Sequence, residues 1–188
     1  MSTCISGYQA GILFATGCYD GSRYVVRNVD RWYCDCVQPI FGTTVYTQIV
    51  RDKPQYVVKG NAIKTVDISS ISDAPGFCRA YIELKSSFGL WQGKDRRGRK
   101  TNPKPRLRIY GSIDTLERLM DWLPAAPKKI QLCTGQHQDG YTGRTYAVYY
   151  QSAAEIIDIF DYISGSPRND PIWGKWEDIL SVSRGGKK

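Results

Sequence analysis

Hydrophobic positions follow a helical period and then a strand period, and this order occurs twice along the chain. Residues 7–17 form an apolar run containing small residues, which predicts a buried helix ended by Gly17. The patterns that follow predict a strand over 22–27, a helix over 29–41 capped by Asn28 or Asp30, strands over 43–50 and 55–59 joined by a proline-containing turn, and a short helix over 61–71.

The second half of the sequence predicts the same elements in the same order. They are a helix over 75–86, a strand over 87–92, a basic loop, a strand over 106–110, a helix over 113–123 capped by Ser112 or Asp114, strands over 130–134 and 145–151, and a helix over 153–163 capped by Ser152. We therefore predict an α/β (α+β) fold with two αββαββα repeats, at 1–74 and 75–165. A C-terminal extension follows at 166–188, in which Trp173 and Trp176 are expected to pack.

Polar side chains alternate with apolar ones on several of these strands. Arg106 and Arg108 fall on one face, and the two apolar residues beside them fall on the other. Such alternation is typical of an antiparallel sheet with one face on the core and one face free. Arg and Gln side chains suit the edges of DNA bases, although any half-exposed sheet also carries polar residues outward. The candidate base or groove contacts are Arg106, Arg108, Tyr46, Gln48, Gln131 and Gln136.

Positive charge is concentrated in one short stretch. The formal net charge of the 188 residues is +8, and the segment 91–108, with eight Lys or Arg and one Asp, contributes +7 of it. A localised cationic stripe is expected for a protein that binds a polyanion, while a solvated loop or a contact with anionic lipid are the alternatives. The candidate phosphate contacts are Lys94, Arg96, Arg97, Arg99, Lys100 and Lys104.

The remaining composition excludes several kinds of protein. No apolar run approaches the ~20 residues of a membrane span, and no basic segment precedes the first apolar run, so neither a membrane protein nor a signal peptide is predicted. The six cysteines are interpreted as reduced thiols, and with His137 as the one histidine, a zinc site is not expected. We therefore expect a cytoplasmic, nucleoid-associated protein that is not secreted.

Two segments resemble the motif of the LAGLIDADG homing endonucleases in their single-chain, two-repeat form. The first is QAGILFATG at residues 9–17, and the second is CRAYIELKS at 78–86, followed by SF; both are divergent. The resemblance implies that the two motif helices pack side by side, with Ala10, Gly11 and Ala80 permitting close approach. It also implies that two antiparallel sheets form a saddle over duplex DNA, within one chain that acts as a monomeric pseudo-dimer.

The same resemblance bears on catalysis. In the family, the last acidic residue of each motif holds the divalent cations used for cleavage. The matching residues here are Thr16 and Lys85, a neutral oxygen and a cation, so the catalytic acids are absent and no metal or other cofactor is expected. Lys85 would instead be favourable beside a phosphate. The lead hypothesis is a sequence-specific duplex-DNA-binding protein without nuclease activity, acting as a repressor or other regulator.

Three alternatives stay open at this point. The chain could be an active Mg²⁺-dependent endonuclease that uses Glu83 or Asp20, whose more ordinary roles would be a salt-bridged helix residue and a turn residue. It could be an RNA-binding splicing maturase, a function that the family scaffold also supports. It could also be a protein-interaction module whose basic loop binds an acidic partner.

Overall fold

A capping box begins the first helix. In the computed structural model, which describes residues 5–133 and 145–184, α1 spans Gly7–Thr16. The Ser6 hydroxyl accepts a hydrogen bond from the Gln9 backbone N–H at 3.2 Å, and the Gln9 side chain accepts one from the Ser6 N–H at 3.1 Å. Two otherwise unpaired backbone donors are thus satisfied, so helix formation is favoured at the position where the apolar run begins.

The described residues divide into two compact units, each with a four-stranded antiparallel sheet. The first unit comprises the chain through Leu84 together with Gly165–Asn169. Its sheet has the strand order β1-β2-β4-β3. The elements after α1 are β1 (Gly17–Tyr19), β2 (Tyr24–Asn28), α2 (Arg31–Phe41), β3 (Tyr46–Val50), β4 (Lys53–Gly60), a 3₁₀ turn (Ile68–Ser70) and α3 (Ala74–Lys85).

The second unit repeats this order from β5 onward. It comprises Lys85–Ser164 and the chain from Asp170, and its sheet has the strand order β5-β6-β8-β7. Its elements are β5 (Ser86–Trp91), β6 (Lys104–Gly111), α4 (Ile113–Trp122), β7 (Gln131–Cys133), β8 (Thr145–Tyr150), α5 (Ala153–Ile163) and α6 (Asp170–Arg184). The predicted α+β class with two pseudo-repeats is confirmed. The two compact units divide between Leu84 and Lys85, at the end of α3.

The structure corrects four details of the prediction. A short strand, β1, follows α1 directly, and the residues expected to form a helix over 61–71 contain only a 3₁₀ turn. The β3–β4 turn is made by Arg51 and Asp52, which both have positive φ, as two-residue hairpins require, while Pro54 lies within β4. The C-terminal extension contains a 15-residue helix, α6, which the sequence analysis does not predict.

Helices cover one face of each sheet. In the first unit the Tyr24 hydroxyl donates to the Leu13 carbonyl at 2.9 Å, and the Tyr24 ring stacks on Phe41 with a centroid distance of 6.4 Å. In the second unit Phe88 meets Phe160 at 4.9 Å between ring centroids, and Phe160 meets Trp176 at 5.1 Å. The opposite face of each sheet is therefore left for polar side chains.

Helices α1 and α3 pack closely around Gly11. A Cβ placed on Gly11 would lie 2.6 Å from the Phe77 carbonyl oxygen and 2.8 Å from the Ala80 Cβ, both well inside contact distance. Glycine is therefore required here for the close approach of the two helices, as the resemblance implied.

Substitution of Gly11 by Ala is expected to destabilise the protein. The added methyl group meets backbone that cannot give way, which costs about 1–3 kcal/mol despite the better helix propensity of Ala. Gly174 in α6 is the matched control, because a Cβ placed on it would have nothing within 4 Å, so Gly174→Ala should stabilise by up to about 1 kcal/mol. Urea denaturation of both variants checks this, and equal effects would contradict the packing argument.

Candidate nucleic-acid interface

The free face of the second sheet collects the predicted arginines. Strand register places Arg106 opposite Gly89, and Arg108 opposite both Ser87 and Tyr149. Residues directly opposite share a face in an antiparallel sheet. The remaining members of this face by register are Trp91, Lys104, Tyr110, Gln131, Cys133, Thr145 and Ala147. Arg106, Arg108 and Gln131 thus lie on one surface, away from the helices.

Arginine and aromatic side chains alternate across this face as a ladder. The Arg106 guanidinium lies 5.5 Å from the Trp91 ring centroid and 5.8 Å from that of Tyr149. The Arg108 guanidinium lies 4.8 Å from the Tyr149 centroid and 5.8 Å from that of Tyr110. We name these five residues the arginine–aromatic ladder. Cation–π contact holds the two cations at the surface without neutralising them.

The basic segment between β5 and β6 is folded as a hairpin. Lys94 and Lys100 form an antiparallel bridge, and the Asp95 carboxylate accepts hydrogen bonds from the backbone N–H groups of Arg97 and Arg99, each at 2.8 Å. The one acid of this segment therefore stabilises its turn through backbone contacts. The basic side chains of the hairpin are all exposed: Lys94, Arg96, Arg97, Arg99, Lys100 and Lys104.

The free face of the first sheet presents uncharged polar side chains together with cations. Tyr46 and Gln48 are exposed on β3, and Gln48 lies directly opposite Gln55. The Lys59 ammonium lies 5.4 Å from the Tyr46 ring centroid, and Arg27 Nη1 donates to the Cys18 sulfur at 3.8 Å. This face therefore presents amides and a phenol, together with cations that the sequence reasoning did not single out, namely Arg27, Lys53 and Lys59.

Three aromatic members of this face, Tyr110, Tyr149 and Trp91, were not named by the sequence analysis. Tyr110 follows Arg106 and Arg108 at the same two-residue spacing, so alternation alone places it on their face. Tyr149 and Trp91 reach the arginines from neighbouring strands, and only strand pairing shows this. Gln136 lies outside the described residues.

The two carboxylates that an active endonuclease could use, Glu83 and Asp20, both accept hydrogen bonds within the protein. Glu83 is only 7% exposed, and its Oε2 accepts hydrogen bonds from the Tyr8 hydroxyl at 2.6 Å and the Tyr33 hydroxyl at 3.2 Å. Its Oε1 accepts from the Asn169 backbone N–H at 3.3 Å. We call Glu83, Tyr8, Tyr33 and Asn169 the Glu83 cluster.

Asp20 holds a turn between β1 and β2. Its Oδ1 accepts hydrogen bonds from the Arg23 backbone N–H at 2.7 Å and from the Ser22 backbone N–H and hydroxyl at 2.9 Å each. These hydrogen bonds favour the ionised carboxylate and lower the pKa of Asp20 to about 2. The arrangement is that of an Asx turn.

Thr16 and Lys85, which the sequence resemblance matches to the family's metal-binding acids, have side chains that do not suit a magnesium ion. Thr16 ends α1, and its hydroxyl donates to the Ile12 carbonyl at 2.8 Å. Lys85 ends α3, and partial desolvation lowers the pKa of its ammonium. A hard divalent cation prefers several anionic oxygens, which these two residues do not supply. Among residues 5–133 and 145–184, no three Asp, Glu, His or Cys side chains are grouped so as to hold a metal.

Comparison with known proteins identifies the fold. No protein-family model and no curated protein matches the sequence. A variant of I-SmaMI matches with a TM-score of 0.65 and 9% identity, over 99% of this chain and 93% of its own. The LAGLIDADG homing endonuclease I-LtrWI bound to target DNA matches with a TM-score of 0.65 and 9% identity, over 96% of this chain and 90% of its own.

A third match is the LAGLIDADG homing endonuclease I-SmaMI bound to cleaved DNA, with a TM-score of 0.64 and 10% identity, over 96% of this chain and 89% of its own. The chain therefore has the fold of single-chain LAGLIDADG homing endonucleases, as the sequence resemblance predicted. None of the helices in the described ranges is long and apolar enough to cross a membrane.

Loss of the Glu83 carboxylate is expected to lower stability. Glu83→Gln places an amide NH₂ among donors that need an acceptor, and unsatisfied buried groups cost about 1–3 kcal/mol. Glu117→Gln in α4 removes an exposed carboxylate and serves as the control, with a change within about 0.5 kcal/mol. Urea denaturation separates the two variants. A Glu83→Gln protein as stable as wild type would argue against a structural role for this carboxylate.

Alkaline pH is expected to weaken the first unit. Burial, followed by the nearby charge of Glu83, raises the pKa of Tyr8 and of Tyr33 above the ordinary value of 10. The protonated phenols are therefore favoured in the folded state, so their contribution is complete below pH 10 and is lost as the pH rises beyond it. Tyr8 and Tyr33 should ionise only as the protein unfolds, which tyrosinate absorbance measures. The free energy of unfolding of a Tyr8→Phe/Tyr33→Phe protein should fall less steeply with rising pH than that of wild type. Parallel pH curves would contradict this.

Proposed function

We propose that this chain is a sequence-specific duplex-DNA-binding protein built on the LAGLIDADG homing endonuclease fold. The observation that carries the proposal is the free face of the second sheet, where the arginine–aromatic ladder lies next to an exposed basic hairpin. The ladder arginines supply donors for base edges, and the hairpin supplies cations for phosphates. We further propose that the chain binds as a monomer and acts as a repressor or other regulator.

The absence of nuclease activity is part of the proposal. It is supported by Thr16 and Lys85 at the ends of α1 and α3, neither of which is an anionic metal ligand. It is further supported by Glu83, whose two oxygens already accept hydrogen bonds from buried donors. The competing candidate is an active endonuclease, which the homing endonucleases among the structural matches favour. In that case Glu83 would have to leave its buried partners, or Asp20 would have to bind the metal from its exposed turn.

Selection of duplex oligonucleotides from a random pool tests the proposal, with the bound DNA then incubated with Mg²⁺ or Mn²⁺. Enrichment of one sequence without cleavage is expected. Cleavage of the enriched sequence that Glu83→Gln abolishes would support the endonuclease instead. Preference for structured RNA over duplex DNA, or nucleic-acid binding that varies little with salt, would favour the maturase or the protein-interaction alternative.

Removal of one hairpin cation should weaken binding to all duplexes alike. Arg97→Ala deletes one phosphate contact, so the slope of log K against log salt should fall by roughly one. Lys175 is an exposed cation in α6 and provides the matched control, because Lys175→Ala removes the same charge elsewhere. Binding titrations at several salt concentrations measure the slopes. Identical slopes for the two variants would show that the hairpin does not contact phosphate.

A further inference from the structure

We propose that Tyr110 and Tyr149 are positioning residues that fix Arg108 so that the outer edge of its guanidinium recognises one guanine in the major groove. This inference rests on the proposed DNA-binding function and adds to it a particular base, a particular edge of the arginine, and two residues that hold that edge in place. The contacts made by the individual nitrogens of the Arg108 guanidinium decide which of its edges is available to a base.

The inner part of the Arg108 guanidinium is fixed by the sheet. Its Nη1 donates to the Tyr110 hydroxyl at 3.0 Å, and its central carbon lies 4.8 Å from the Tyr149 ring centroid. The Tyr110 hydroxyl is also 3.4 Å from the Ser87 hydroxyl on the neighbouring strand, so its position is itself supported. Hydrogen bond and ring contact together restrict both the rotation and the tilt of the guanidinium plane.

The Nε edge of Arg108 is not available to a ligand. Nε is buried and has no hydrogen-bond partner among the described residues. An arginine presents a pair of parallel donors either through Nε with one Nη, or through both Nη atoms. Burial of Nε leaves the second pair, of which one Nη1 hydrogen is used by Tyr110. The pair of donors left for a ligand is therefore the fork made by Nη1 and Nη2.

A fork of two parallel N–H groups matches two adjacent acceptors. Guanine O6 and N7 provide this pair in the major groove, and two oxygens of a phosphate provide it on the DNA backbone. A guanidinium that contacts two aromatic rings and donates to a hydroxyl has lost part of its freedom before binding, which reduces the entropy cost of recognition. We assign guanine, because the hairpin cations already supply exposed contacts for phosphate.

Arg106 is the internal comparison on the same strand. Its guanidinium contacts the rings of Trp91 and Tyr149 but makes no hydrogen bond to any described residue. Tyr110 contacts Arg108, whereas Tyr149 contacts both Arg106 and Arg108. A change at Tyr110 should therefore act on the Arg108 contact and leave the Arg106 contact intact.

The first test uses the free protein and needs no DNA. Side-chain ¹⁵N relaxation of the arginine Nε–H groups, assigned with Arg108→Lys, should give Arg108 an order parameter near that of rigid backbone, about 0.85, against less than about 0.6 for exposed Arg96. Tyr110→Phe should lower the value for Arg108 but not for Arg106. A wild-type Arg108 as mobile as Arg96 would overturn the proposal.

The second test is duplex selection with variant proteins. Wild type should prefer guanine at one position by about 5- to 150-fold, the range of a good bidentate contact. Arg108→Lys should remove that preference, and Tyr110→Phe should reduce it at least about threefold at the same position only. Tyr146→Phe, which removes a hydroxyl on the other face of β8, should leave it unchanged.

A selected duplex carrying 7-deazaguanine at that position distinguishes base from phosphate. If Arg108 contacts the base, wild type should bind the 7-deazaguanine duplex more weakly than the guanine duplex. Arg108→Lys should then bind the 7-deazaguanine duplex nearly as well as wild type does. If Arg108→Lys leaves the preference for guanine unchanged, Arg108 does not recognise that base and the inference fails while DNA binding stands. If no duplex binds wild type at all, the proposed function fails and the inference fails with it.

Discussion

Within residues 5–133 and 145–184, helices cover only one face of each sheet, and the candidate site depends on this constraint. An antiparallel strand directs successive side chains to opposite faces, so the apolar set of β6, Leu107 and Ile109, is fully buried. The intervening residues, Arg106 and Arg108, are then directed away from the helices. Register is strongly specified because a slip of one residue would bury the arginines. The energy of the core thus determines where the cations lie.

Aromatic side chains change what those cations can do. A solvated arginine on a flat sheet would have several conformations and would contact phosphate and base with little discrimination. The ladder limits Arg106 by ring contacts and Arg108 by ring contacts and a hydrogen bond. The basic hairpin beside it carries its cations on exposed side chains. Under the proposed function, cations of the same charge would serve two different purposes, positioning on the DNA backbone and discrimination among bases.

The Glu83 cluster shows how an acidic residue of the second motif segment is used inside this fold. A buried carboxylate is costly unless donors surround it, and here two phenols and a backbone N–H do so. Asn169 also donates from its side chain to Asp30 Oδ2 at 2.7 Å, and Arg79 Nη1 donates to the Pro167 carbonyl at 3.1 Å. Polar contacts thus hold Gly165–Asn169 against the first unit. These contacts account for the assignment of Gly165–Asn169 to the first unit, although the helices before and after this segment, α5 and α6, belong to the second unit.

The sequence by itself determined most of the element order, the duplicated plan, the cap at Ser152 and the face on which the arginines lie, because periodicity and capping are local properties of the chain. It offered Asp30 and Ser112 as caps, each with one alternative. Tertiary structure decided the rest. It decided that Glu83 is surrounded by donors from Tyr8, Tyr33 and Asn169, and that Tyr149 lies over Arg108, since these contacts join residues far apart in the chain. It also decided that Arg51 and Asp52 make the β3–β4 turn, because strand pairing selects the turn residues. Local patterns specify which face a side chain takes, but only the packed chain specifies its neighbours.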